Sequence, residues 1–225
     1  MGRLSSLFPS HQFDVIIGSL LGDARLECRS VGLRSPITAR LRIHHGEKQE
    51  EYVFWKYEIF KDLVSKAPKE ISWDNPKRGL HEVSWYFHTR SIETLGTLHH
   101  YFYRNSTKVL PLNIFDLLTP RMIAVWFMDD GSDIGGGLTL NTHGFSREEQ
   151  VRIADYLNSR FTIHATLVKD RTKLKIGIGR NDRDRFLDIV RPFIIPSMTY
   201  KIDNPRNDSA KTNGRSGEIG SLSLC

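Results

Sequence analysis

The sequence predicts an α/β (α+β) chain of two similar halves, each running helix, strands, helix, strands, helix. Three observations predict it. Residues 16–24 (Ile-Ile-Gly-Ser-Leu-Leu-Gly-Asp-Ala) and 123–131 (Ile-Ala-Val-Trp-Phe-Met-Asp-Asp-Gly) are near-repeats: apolar runs that end in a carboxylate beside a small residue. After each copy the apolar spacing changes from helical to alternating and back, in the same order. Turn-rich segments, among them Ser35-Pro36, Asn75-Pro76-Lys77-Arg78-Gly79 and Gly135-Gly136-Gly137, separate the stretches.

Each element has a local cause. Residues 11–23 read as a buried helix, capped by Ser10, with Val15, Ile16, Ile17, Leu20 and Leu21 apolar on most sides. Gly18 and Gly22 lie one turn apart, so another backbone can approach closely. Residues 38–45 alternate as a strand, with Arg40, Arg42 and His44 sharing one face. Residues 47–65 read as a helix with Tyr52, Trp55, Ile59 and Leu63 as its core stripe. Strands follow at 71–74 and 81–90, then a helix at 91–103. The pattern restarts at Thr119 and Pro120, a helix cap and first turn. After the second motif come a strand at 138–142, a capping-box helix from Ser146 to about 159, a hairpin at 161–169 and 173–179, and a helix at 182–190. Lys173 and Lys175 share one hairpin face. The organisation is a first half at 1–104, a linker at 105–116, a second half at 117–203 and a polar tail at 204–225.

Bulk properties narrow the function. The chain has 225 residues, 39% of them hydrophobic, enough for a substantial core. No apolar stretch approaches the roughly 18 residues of a spanning helix, so no membrane partner is expected. Residues 1–10 make a poor secretory signal. Cys28 and Cys225 are the two cysteines, which excludes a disulfide framework and points to a reducing compartment. The net charge of +6 makes nucleic acid the leading partner, since a positive surface gains affinity by displacing phosphate counterions. A merely basic surface is the plainer alternative.

An acid at the C-terminal end of an apolar helix opposes the helix dipole. Two such acids in equivalent places, Asp23 and Asp130, point to a divalent cation that reverses the penalty. Taken alone, Asp14 and Asp133 read as caps or surface charges. Trp73, Trp85 and Trp126 read as core. The pairs His44-His45 and His99-His100 lack metal-ligand company and read as DNA-facing or structural.

The paired motifs resemble the LAGLIDADG homing endonucleases, in their single-chain, two-motif branch. The segments that carry the likeness are Leu20-Leu21-Gly22-Asp23-Ala24, Leu118-Thr119-Pro120, Trp126-Phe127-Met128-Asp129-Asp130-Gly131, Leu140-Asn141-Thr142 and residues 192–201. It extends over roughly residues 11–203. Gly22 stands where the family's motif has Ala, and Val125 where it has Gly. The resemblance implies two αββαββα halves, motif helices paired at the centre, and an antiparallel saddle of strands facing double-stranded DNA. It implies a monomer that cuts both strands across the minor groove with Mg2+, leaves 3′ overhangs and promotes intron mobility. Asp23 and Asp130 take the places of the catalytic, metal-binding acids, with the carbonyls of Gly22 and Asp129 as further ligands. Lys108 and Lys201 take the places of the two active-site lysines. For DNA contact the strand faces offer Arg40, Arg42, Lys77, Arg78, Arg90, Lys169, Arg171, Lys173 and Lys175. Some family members act instead as RNA maturases that help an intron splice, so intron RNA is the alternative partner. A non-catalytic DNA-binding descendant is disfavoured because both acids are present.

Overall fold

Two helices that are apolar nearly all round must be buried, and they set the architecture. The computed structural model describes residues 6–28, 37–77 and 79–203. Its first motif forms α1 (Ser10–Leu21), with Phe13, Val15, Ile16, Ile17, Leu20 and Leu21 buried. Ser10 is the first helical residue rather than the cap. Pro9 holds the cap position with no side-chain bond, and Phe13 N donates to its carbonyl at 3.0 Å. Then follow β1 (Arg25–Glu27), β2 (Arg40–Gly46), α2 (Glu50–Ile59), β3 (Lys69–Asn75), β4 (Leu80–His88) and α3 (Glu93–Phe102). The helix expected to reach residue 65 stops at Phe60, where the chain tightens into a single 3-10 turn, Lys61–Leu63.

A two-stranded ribbon, β5 (Tyr103–Arg104) and β6 (Thr107–Lys108), leads toward the second half. Asn105 and Ser106 turn it with φ of 47° and 65°. The stretch read as a linker is therefore partly structured. Leu110 N donates to Glu149 Oε1 at 2.6 Å and Arg152 to the Leu112 carbonyl at 2.6 Å, which pins it to the second half.

The second half repeats the order: α4 (Pro120–Asp130), β7 (Gly131–Asp133), β8 (Gly137–Leu140), α5 (Arg147–Phe161), β9 (Ala165–Asp170), β10 (Lys173–Gly179) and α6 (Arg180–Val190). Thr119 caps α4 by accepting from Met122 N, with Pro120 at the first position. Ser146 and Glu149 form the expected capping box. The sheets have matching orders, β1-β2-β4-β3 and β7-β8-β10-β9, antiparallel throughout. The tail at 204–225 lies outside the described residues.

At the centre, α1 packs on α4 with equivalent motif positions meeting. A Cβ built on Gly18 would stand 2.6 Å from the Met122 carbonyl and 2.7 Å from Val125 Cβ; one on Gly22 would stand 2.5 Å from Asp129 Cβ. Gly18 is the counterpart of Val125, and Gly22 of Asp129. At both positions a glycine on one helix receives a larger side chain from the other.

Each sheet has one face against helices and one open. On β2, Leu41, Ile43 and His45 are buried while Arg40, Arg42 and His44 are partly exposed. On β10, Ile176 and Ile178 are buried while Lys173 is exposed and Lys175 partly so. β1 and β7 begin just after the motif acids and form one edge of each sheet, so both acids sit at the root of an open face.

Candidate active site

The geometry around the acids has the pseudo-symmetry of the fold. Lys108 Nζ donates to the carbonyls of Gly22 (2.9 Å) and Ala24 (2.7 Å), the residues either side of Asp23. Lys201 Nζ donates to the carbonyls of Asp129 (3.1 Å) and Gly131 (2.9 Å), the residues either side of Asp130. Each ammonium thus answers the negative end of a helix dipole. Lys108 is delivered by the β5–β6 ribbon, which docks where Leu26 N donates to Tyr103 Oη at 3.0 Å. Lys201 ends a 3-10 turn, Pro196–Lys201, held by Arg183: its guanidinium pairs with Asp133 and donates to the Ile202 carbonyl at 3.2 Å. Asp133 is therefore a buried ion-pair partner rather than a cap or surface charge.

The acids feel one another. Asp130 is pushed up to about 8 by burial, then by the charges of Asp23 and Asp129. Asp23 is pushed up to about 6 by burial, then by Asp129, although its side chain is still 46% accessible. Burial lowers Lys108 and Lys201 from the usual ammonium range, with the surrounding carboxylates pulling the other way. A site that strains to keep two carboxylates ionised is one that gains from a cation. Among the described residues no cluster of three or more His, Cys, Asp or Glu side chains could hold a metal. The oxygens that the seam offers are the Asp23 and Asp130 carboxylates and the Gly22 and Asp129 carbonyls, each carbonyl also accepting from a lysine. An all-oxygen set open to water and phosphate fits a hard divalent ion.

Beneath the acids lies a network that sequence reasoning missed. The Asp129 and Lys56 side chains are both 0% exposed and pair at 2.7 Å. Tyr52 Oη donates to the same Asp129 oxygen at 2.8 Å, and Asp23 N to the other at 3.2 Å. Lys56 Nζ also lies 3.3 Å from His45 Nε2, and His45 Nδ1 faces Asp23 Oδ2 at 3.6 Å. Burial, then the Lys56 charge, lowers His45 to about 3, so the ring is neutral at ordinary pH. A lysine amid helix-spaced residues reads as a surface charge. Only the seam shows its partner.

The open faces carry the expected cations unevenly. Glu27 gathers Arg25, Arg40 and Arg42, at 2.8, 2.7 and 3.5 Å, into a fan on the first sheet. Arg42 lies over the Tyr86 ring, and His44 Nε2 bonds with Ser84 Oγ at 2.8 Å. Arg25, absent from the sequence-derived set, shares a cavity with Asp23, Arg42, His44, His45 and Gln49. Lys77 sits at the exposed β3–β4 turn; Arg78 lies outside the described residues. Arg90 follows β4, donates to the Asp62 carbonyl at 2.8 Å and lines a cavity with Arg40 and His88. On the second sheet Lys175 pairs with Asp170 at 3.0 Å beside Lys173, and Arg171 occupies the hairpin tip at φ 56°. Lys169 pairs in register with Leu174, so alternation puts it on the opposite face from Lys173 and Lys175. Trp73 departs from its expected core place: it is 40% exposed, opposite Glu82 on the outer part of the first sheet.

Comparison with known proteins agrees with this geometry. The profile of the LAGLIDADG DNA endonuclease family matches residues 13–186. The DNA endonuclease I-ChuI of Chlamydomonas applanata is 29% identical over 210 residues, 86% of this chain and 94% of its own. The cytochrome b mRNA maturase bI2 of Debaryomyces hansenii is 28% identical over 199 residues, 85% and 73% of the two chains. The solved homing endonuclease I-WcaI, bound to its DNA recognition sequence, superposes with a TM-score of 0.78 at 26% identity, over 89% of this chain and 91% of its own. I-DmoI in complex with DNA and Mn shares the fold, with a TM-score of 0.51 at 14% identity, over 80% and 96%. The paired motif helices, their acids and this match together mean that the chain belongs to the LAGLIDADG DNA endonuclease family and is a homing-endonuclease-type DNA hydrolase.

Proposed function

We propose that this enzyme, acting as a monomer, makes a site-specific double-strand break across the minor groove of its target, leaving 3′ overhangs and promoting spread of its own intron. One observation carries the reading: two motif acids at one seam, each flanked by a lysine, at the roots of two cationic sheet faces. The sheets' Arg and Lys side chains hold the duplex through phosphates and base edges, and so fix which bonds lie over the seam. Asp23 and Asp130, with the Gly22 and Asp129 carbonyls, would hold divalent cations, magnesium by preference. Held there, such an ion would supply a nucleophilic water and neutralise charge on the departing 3′ oxygen. Lys108 and Lys201 stand beside the acids, where an ammonium stabilises developing phosphorane charge or polarises water. Each half contributes one acid, and a lysine stands beside each, Lys108 from the ribbon between the halves and Lys201 from the second half, which matches a reaction needed once per strand. The I-DmoI structure with Mn supports divalent-ion use in this fold.

The test is cleavage of the uninterrupted allele of the host gene with magnesium, followed by sequencing of the ends. Asp23→Asn and Asp130→Asn should each cut double-strand cleavage by at least a hundredfold while leaving DNA affinity within a few-fold. Linearisation by both variants at the wild-type rate would remove the metal assignment. The maturase relative supports a second reading, assistance to intron splicing. A splicing assay on the host intron RNA, with and without the protein, separates the two.

A further inference from the structure

The buried network treats the two acids differently. In the first half, β1 and β2 pair Arg25 with Arg42; in the second, β7 and β8 pair Ser132 with Thr139. Arg25 and Ser132 each stand two residues past a motif acid, so Thr139 is the counterpart of Arg42. Counting on, Thr142 is the counterpart of His45, and Ile153 in α5 that of Lys56 in α2. Thr142 turns away to donate to Gln150 Oε1 at 3.1 Å, and Ile153 is ordinary buried core. The first half therefore has an imidazole and an ammonium where the second has a hydroxyl and a hydrocarbon.

The chemistry of the first-half pair is directional. A lysine ammonium has donors and no acceptor, so across the 3.3 Å contact His45 Nε2 must accept. A neutral imidazole that accepts at Nε2 carries its proton on Nδ1. That N–H points at Asp23 Oδ2 from 3.6 Å, just outside direct hydrogen-bond reach. Catalytic contacts are often long before substrate binds and close in the complex. Lys56 is in turn fixed by Asp129, the neighbour of the other motif acid.

We propose that Lys56 and His45 form a positioning relay, Asp129–Lys56–His45–Asp23, that sets the His45 tautomer and aims the Asp23 carboxylate, so that the two strand cuts depend on it unequally. This rests on the double-strand-break reading above. Lys56 and His45 are positioning residues: they act through Asp23. Outer-sphere partners of this type are worth about ten- to a hundredfold in metal affinity or activity.

Two experiments test it. The first needs no cleavage. In metal-free protein, long-range 15N–1H correlation spectra of the histidine rings should show His45 with its proton on Nδ1. The double variant Lys56→Met/Asp129→Ala, which removes both buried charges together, should move it to Nε2. A wild-type His45 protonated on Nε2, or a tautomer indifferent to the double variant, overturns the relay. The second measures nicking of each strand on a doubly end-labelled target duplex. His45→Phe should slow one strand at least tenfold more than the other, and the double variant should slow the same strand. His45→Asn, whose amide nitrogen can stand where Nδ1 does, should restore most of the lost rate. Equal slowing of both strands identifies a structural role only, and no slowing removes the role altogether. If the wild-type enzyme fails to cut at all, the endonuclease reading falls, while the tautomer measurement still judges the relay.

Discussion

Lys56 is the residue whose environment most exceeds what its local sequence announces. It lies between Trp55 and Tyr57 on α2, has no exposure, and is held by an acid from the other half of the chain. Removing one partner of such a pair leaves an uncompensated buried charge. Lys56→Met should therefore cost about 3–5 kcal/mol. Lys56→Met/Asp129→Ala should cost less than Lys56→Met alone, a coupling that denaturant midpoints of the wild type, the two single variants and the double variant will read. Asp23 and Asp130 stand out in the sequence because two copies of one irregularity coincide. Lys201 stood out through the residues around it. The sequence offers Asp129 only as a supplier of a carbonyl, and the burial of its carboxylate is invisible there because the pocket that receives it is built by Gly22, Tyr52 and Lys56, far away in sequence.

Among the elements, α4 and α5 begin at the caps that local rules give them, whereas α1 keeps its apolar character but starts at Ser10 behind Pro9 without the predicted cap. The short strands β1 and β7 did not stand out, since three residues carry too little alternation to register. The ribbon that delivers Lys108 was hidden for the same reason, and because left-handed Asn105 and Ser106 replace the glycine that usually marks such a turn. Close approach of α1 and α4 was foreseeable from Gly18 and Gly22. Its consequence is testable: Gly18→Ala forces a methyl against the Met122 backbone carbonyl, which cannot swing aside. We expect a loss of about 1–3 kcal/mol. Because those helices carry both acids at their ends, cleavage should slow on both strands alike. Urea unfolding together with strand-resolved nicking will measure the pair of effects.

Across the whole molecule, the acids make the ion-free protein a poorer fold as pH rises. Asp130 titrates near 8 when folded and near 4 when unfolded, so the folded state holds the proton more tightly. The stability it contributes is complete below about pH 4 and is lost as pH climbs through about 8. His45, lowered to about 3, works in the opposite sense only below about pH 6.5, which sets the window. Between about pH 6.5 and 8 in EDTA, the wild type should lose roughly 1–2 kcal/mol that Asp130→Asn retains. Adding a divalent cation at pH 8 should recover it. Parallel curves for the two proteins would show that the proton sits elsewhere. The unequal seam also governs how such enzymes can be recombined. A first half docked on its own twin would oppose glycine to glycine and leave a void, and a second half would oppose Asp129 to Asp129. Grafting a foreign half onto this one therefore requires Gly22, Tyr52, Lys56 and Asp129 to travel as a matched set, whatever base contacts the designer wishes to exchange.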